Sequence, residues 1–152
     1  MRQRSVHHLL AAFALLLAAG VAWAQASPAG LWKTIDDNTK KEKSLVRIVE
    51  SGGVYTGRVE KILDTTAPPE AVCKDCTDER KDKPILGMTI IRNVKQDPDD
   101  KGLFDGGDIL DPNNGKVYSV RLRPIDNGAR LEVRGYIGAP LLGRTQTWIR
   151  VE

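Results

Sequence analysis

Gly106-Gly107-Asp108-Ile109-Leu110, then Asp111-Pro112-Asn113-Asn114-Gly115, then Lys116-Val117-Tyr118-Ser119-Val120-Arg121-Leu122, is the stretch whose reading decides the fold. Its middle is turn chemistry: proline presets φ, while Asn and Gly accept φ > 0. Beyond the turn, Tyr118, Val120 and Leu122 alternate with Val117, Ser119 and Arg121. A period of two with one apolar face is a strand with one side buried. The unit is a β-hairpin.

Working outward, the same pattern recurs. Strands are expected at Gly30–Ile35, Ser44–Glu50, Val54–Leu63, Pro84–Val94, Leu103–Leu110, Lys116–Arg123, Ala129–Tyr136 and Thr145–Val151. In the third, Tyr55, Gly57, Val59 and Lys61 should share a face, with Gly57 marking a bulge or close backbone approach. Pro84–Val94 is apolar on both faces toward its middle, as a central strand would be. Residues 64–83 break the pattern with Pro68-Pro69, Cys73, Cys76 and a charged run. A connection of that length is usually functional or tied down. About eight strands at this spacing, with no long amphipathic helix, predict an all-β fold: a single antiparallel up-and-down β-barrel. Such a barrel is wide enough for its own side chains or for one small ligand.

The first 24 residues have the form of a secretory signal. Arg2 and Arg4 precede an apolar run from Leu9 to Val21, and Ala22-Trp23-Ala24 is a small-x-small cleavage site. The domains expected are a signal peptide, 1–24, and a barrel, 25–152, with a periplasmic or secreted location and no stable membrane insertion after cleavage. Both histidines, His7 and His8, lie in the leader. The mature chain would then lack Ser-His-Asp and Cys-His nucleophile systems and histidine-based zinc sites. Losing Arg2 and Arg4 from the 23 Lys and Arg leaves 21 against 20 acids, in mixed order. That is a solvated surface rather than the basic stripe of a nucleic-acid binder.

Several stretches, in this order, resemble a bacterial family of unknown function, DUF2147. They include Gly30-Leu31-Trp32-Lys33-Thr34, Tyr55-Thr56-Gly57-Arg58-Val59, Cys73-Lys74-Asp75-Cys76, Lys83-Pro84-Ile85-Leu86-Gly87, Gly106 through Pro112, Leu131 through Tyr136, and Arg144-Thr145-Gln146-Thr147-Trp148. Phe104 stands where the family commonly has Trp. The resemblance covers nearly all of residues 30–152 and implies a lipocalin-like, calycin-type barrel in a secreted or periplasmic protein. It also implies that the Gly-x-Trp at Gly30–Trp32 opens the first strand under a basic residue from the last. Arg150 is the first candidate for that partner and Arg144 the second.

Cys73-x-x-Cys76 is the sharpest chemical motif. In an oxidising compartment a disulfide is expected. It could staple the 64–83 loop, exchange with other thiols, or hold a metal. Exchange needs an activated sulfur in a βαβ setting, which the strand pattern lacks, and a metal needs ligands the mature chain does not supply. The acids of Asp97–Asp111 lack EF-hand spacing and read as turns, and so do Asp105 and Asp108, a pair that could otherwise serve glycoside hydrolysis. No catalytic group, metal or cofactor is expected. The Gly-flanked apolar loop at 137–144, with Leu141 and Leu142, reads either as a lid or as a plug of one barrel end. The function expected is binding of a small apolar or amphipathic molecule of fatty-acid or lipid type. Tyr55, Met88, Tyr118, Tyr136, Leu141 and Leu142 are the expected contacts. The alternatives are docking of another protein through loops 64–83 and 137–144, and thiol–disulfide exchange.

Overall fold

The computed structural model describes residues 26–152, so the leader and its cleavage position lie outside the described residues. Eight strands follow one another: β1 Gly30–Ile35, β2 Glu42–Ser51, β3 Val54–Ile62, β4 Thr89–Gln96, β5 Phe104–Asp111, β6 Lys116–Ile125, β7 Arg130–Tyr136 and β8 Arg144–Arg150. Each pairs antiparallel with the next, and β8 pairs back to β1 through Trp32↔Arg150 and Lys33↔Ile149. The sheet therefore closes into an up-and-down barrel with no free edge.

The alternation that predicts the strands also decides what they bury. On β6, Val120 and Leu122 are fully buried while Lys116, Val117 and Ser119 are exposed. Opposite them on β7, Leu131 and Val133 are buried, and Val133 pairs with Leu122. Each such aliphatic side chain contributes about 1.5–3 kcal/mol through burial.

Up-and-down connectivity gives the barrel two unlike ends. One end carries the residues before β1, the turns β2–β3, β4–β5 and β6–β7, and the C-terminus. It is packed solid: Trp32, Ile48, Val94, Phe104, Leu122 and Leu131 are all buried there. The other end carries the β1–β2, β3–β4, β5–β6 and β7–β8 connections, and it is open.

Two expectations about strands need correcting. Pro84–Met88 is not strand. Gly87 takes φ +83 and turns the chain, and β4 begins at Thr89. The two-faced apolar reading has a different cause from a central position. Ile91 pairs with Ile109 on the inner face, while Ile90 and Leu110 point the other way and are still only 6% and 2% exposed. The β3–β4 loop covers them from outside. Lys61 does not share the face of Val59. The β2–β3 register skips Glu60, passing from Leu45↔Lys61 to Val46↔Val59. This bulge reverses the alternation, so Ile62 turns inward and Lys61 stays in solvent. Gly57 does lie at an irregularity, where a Cβ would come 3.0 Å from the Ile91 side chain.

Candidate ligand-binding site

The open end leads into a cavity of about 940 Å³ that runs from the barrel interior out beneath the β3–β4 loop. Its inner wall is apolar on one side: Val59 and Ile62 from β3, Ile109 from β5 and Val133 from β7. Gly135 on β7 also faces in, and a Cβ there would sit at ordinary contact distance, 3.5 Å from Tyr118 and 3.7 Å from Ile109. The missing side chain leaves that space to the cavity.

The remaining wall, formed by β8, β1 and β2, is polar. Thr34 and Ser44 pair across β1 and β2, with their hydroxyl oxygens 2.9 Å apart. The Ser44 backbone N–H also donates to Thr34 Oγ1, at 3.1 Å. On β8 the Trp148 indole N–H donates to Gln146 Oε1, at 3.2 Å. All four residues line the cavity. Near the rim, Asn114 donates to the Tyr118 hydroxyl, at 3.2 Å.

The β3–β4 loop is a covered flap rather than a free excursion. Ala67, Pro68, Ala71, Val72 and Ile85 line the cavity from it. A bridge joins Val72 to Pro84, and Ile85 N–H donates to the Ala71 carbonyl. Cys73 and Cys76 form a disulfide, with both residues buried. Cys73 Sγ lies 3.6 Å from the Pro112 carbonyl oxygen, and the backbone at Asp75 packs so tightly on the β5–β6 turn that only glycine fits at 115. Arg80, 5% exposed, donates to the Thr89 carbonyl and to both carboxylate oxygens of Asp78. That guanidinium holds the Asp78 carboxyl at about 2, below its ordinary value.

Charges at the mouth are mostly matched. Lys43 pairs with Asp64 and Arg144 with Asp37. The Lys43 ammonium, followed by Thr66, keeps the Asp64 carboxyl far below the usual carboxylate range. The Thr39 backbone N–H lowers Asp36.

At the closed end one side chain, Arg150, ties three segments together over the packed core. The Arg150 guanidinium lies over the Trp32 ring, 4.2 Å from its centre. Its N–H groups donate to the carbonyls of Gly128, Ala29 and Ser27, at 2.5, 2.8 and 2.8 Å. The Trp32 indole N–H donates to Pro28, at 2.7 Å. A Cβ on Gly30, at φ +142, would fall 2.3 Å from Arg150 Nη1, so the glycine of Gly30-Leu31-Trp32 makes room for the arginine. Burial pulls Arg150 below its ordinary pKa. The second candidate, Arg144, is at the other end of β8 and serves the rim.

Of the six expected ligand contacts, Tyr118 alone lines the cavity. Tyr55 is at the closed end, edge-on to Phe104 with ring centres 5.1 Å apart. Met88 is buried at the base of the flap but does not face the cavity. Tyr136 points outward, because Leu131, Val133 and Gly135 hold the inward positions of β7; Arg121 lies over its ring, at 6.0 Å. Leu141 and Leu142 are 87% and 79% exposed and plug nothing. Arg134, on the outer face of β7, donates to the carbonyls of Pro140 and Leu141 and draws that loop to the outside. Thr34, Ser44 and Gln146 were not among the expected contacts. Their signal is periodicity: Thr34 is two residues after Trp32, and Gln146 two before Trp148, on the same inward faces.

A closed eight-stranded antiparallel barrel, sealed at one end and hollow at the other, defines a lipocalin-like protein. The chain belongs to DUF2147, a family described as uncharacterised protein conserved in bacteria, whose model matches residues 30–150. A solved structure, protein HP1028 from Helicobacter pylori, described as belonging to the lipocalin family, superposes with a TM-score of 0.70. The two are 22% identical over 84% of each chain, a likeness of fold. No curated protein matches this chain.

Proposed function

We propose that this is a periplasmic or secreted carrier that binds one small apolar or amphipathic molecule, of lipid type, inside the barrel. The observation that carries the reading is the cavity: about 940 Å³, aliphatic on one wall and polar on the other, reached from the open end of the barrel. Ligand sites commonly measure about 300–1,000 Å³ and combine an apolar lining with few polar groups. The role is read as binding rather than catalysis: the polar groups of the β8–β1–β2 wall are neutral hydroxyls, an amide and an indole, and the charged groups, Lys43, Asp64 and Arg144 among them, stand at the rim. Mass spectrometry of lipid extracted from protein purified without detergent tests it. A stoichiometric amphiphile supports the reading; empty protein that also fails to take up a fluorescent fatty probe defeats it. Export is part of the proposal, resting on the leader-like residues 1–24. Sequencing the N-terminus of the exported protein should find Gln25 first.

A second reading, docking to a partner at the mouth, has an observation of its own. Ile137, Leu141 and Leu142 are 66–87% exposed on the β7–β8 loop. Polar replacement of both leucines should leave ligand binding in solution unchanged and slow only delivery to an acceptor. The disulfide is read as a staple, since both sulfur-bearing residues are buried. Its reduction potential should lie below about −300 mV, outside the range of exchange catalysts.

A further inference from the structure

We infer that the cavity selects neutral amphiphiles carrying an acceptor oxygen, an ester, amide or alcohol, over fatty-acid anions. This rests on the binding role proposed above and names its substrate class. The first ground is the hydrogen-bond inventory of the β8–β1–β2 wall. Thr34 Oγ1 already accepts from the Ser44 backbone N–H. One of the two hydroxyls donates to the other, so in either arrangement one O–H remains to give. Gln146 is oriented by the Trp148 indole N–H, which occupies Oε1. Its Nε2 then has two N–H groups and no partner among the described residues. Gln146 is half-buried and lines the cavity, which leaves those N–H groups to a ligand there. The wall offers donors, and donors seek an oxygen.

The second ground is charge. The cations that line the same cavity are Lys43, Lys74 and Arg144. At the rim, Lys43 is held by Asp64 at 2.5 Å and Arg144 by Asp37 at 2.5 Å. The other lysine there, Lys74, is exposed next to Asp75, where its charge is screened by water. Asp36, Asp64, Asp75 and Asp111 line the mouth against Lys43, Lys74 and Arg144. A carboxylate entering the cavity would lose its hydration, meet cations that are already paired or water-screened, and pass a rim with four acids against three bases. An ester or amide oxygen meets the same donors and loses much less hydration.

The test uses the full barrel and three ligands of one chain length: monopalmitoylglycerol, palmitamide and palmitate. Each displaces an apolar fluorescent reporter at neutral pH. The two neutral compounds should bind about tenfold more tightly than palmitate, the effect of about one well-made hydrogen bond together with an uncompensated charge. Gln146→Leu should weaken palmitamide by several-fold relative to the apolar reporter, whose own affinity is measured in each variant. Gln146→Glu, which keeps an acceptor for Trp148, should weaken both neutral ligands further. Palmitate equal to or tighter than palmitamide overturns the inference and leaves the carrier role standing. Binding of none of the three, nor of the reporter, removes the carrier role and this inference with it.

Discussion

Arg150 shows how much one side chain can determine. It is the last residue of β8, yet its guanidinium contacts the residues before β1, the β6–β7 turn and the Trp32 ring at once. The cation–π contact contributes about 0.5–2 kcal/mol. Its three carbonyl partners would be left without a donor if the head group were removed. Arg150→Met is therefore expected to lower stability by about 3 kcal/mol, measured by urea unfolding, with the cavity end unchanged. Arg150→Lys should recover only part of this, because a lysine cannot span three divergent carbonyls. The contact was legible from Gly30-Leu31-Trp32 and the last strand, through the family likeness. The tyrosines were not. Tyr55, Tyr118 and Tyr136 look alike in sequence, but one is in the solid floor, one in the cavity and one outside. Residue type does not encode depth along the barrel axis.

The β3–β4 loop is the element that distinguishes this barrel from a simple meander. Its ring through Cys73 and Cys76 is small, so the chain-entropy contribution of the disulfide is only about 2 kcal/mol. The effect should be local. In Cys73→Ser/Cys76→Ser, hydrogen exchange is expected to speed up across residues 64–88 while the strand amides keep their protection. A uniform loss of protection would show that the flap and barrel unfold together. Acid should act on the same element. The Asp78 carboxyl titrates at about 2 in the folded protein, below its ordinary value, because Arg80 stabilises its charged form. A depressed folded pKa means stabilisation that is complete above the unfolded value and lost as pH falls through the folded one. Pepsin cleavage within 64–88 should therefore rise as pH drops from about 4 to about 2. Asp78→Asn should cleave readily already at the upper end of that window. The length of the loop and its cysteines were visible in the sequence. Its position over Ile90 and Leu110 was not, and this is why Pro84–Val94 read as a central strand. A run buried on both faces gives the same pattern whether sheet or loop covers it.

For the molecule as a whole, the proposed binding role rests on the hollow end. Filling it from Gly135 tests this directly. Gly135→Phe should direct a ring into open space, so folding is retained by circular dichroism while reporter binding falls at least tenfold. In the wild type, a ligand present at one hundred times its dissociation constant should stabilise the barrel by about 2.7 kcal/mol, seen as a raised melting temperature that Gly135→Phe does not show. Unchanged binding in the variant would place the ligand elsewhere.

By itself the sequence determined the eight-stranded alternation, the turns between strands and the pairing of two near cysteines. These depend on neighbours a few residues apart: period-two burial, φ preferences and short ring closure. The tertiary structure alone decided which end is solid and which hollow, that Ile62 rather than Lys61 faces inward, and that Thr34, Ser44 and Gln146 share one wall. Those depend on register and on the β2–β3 bulge, which set the height at which residues far apart in the chain meet.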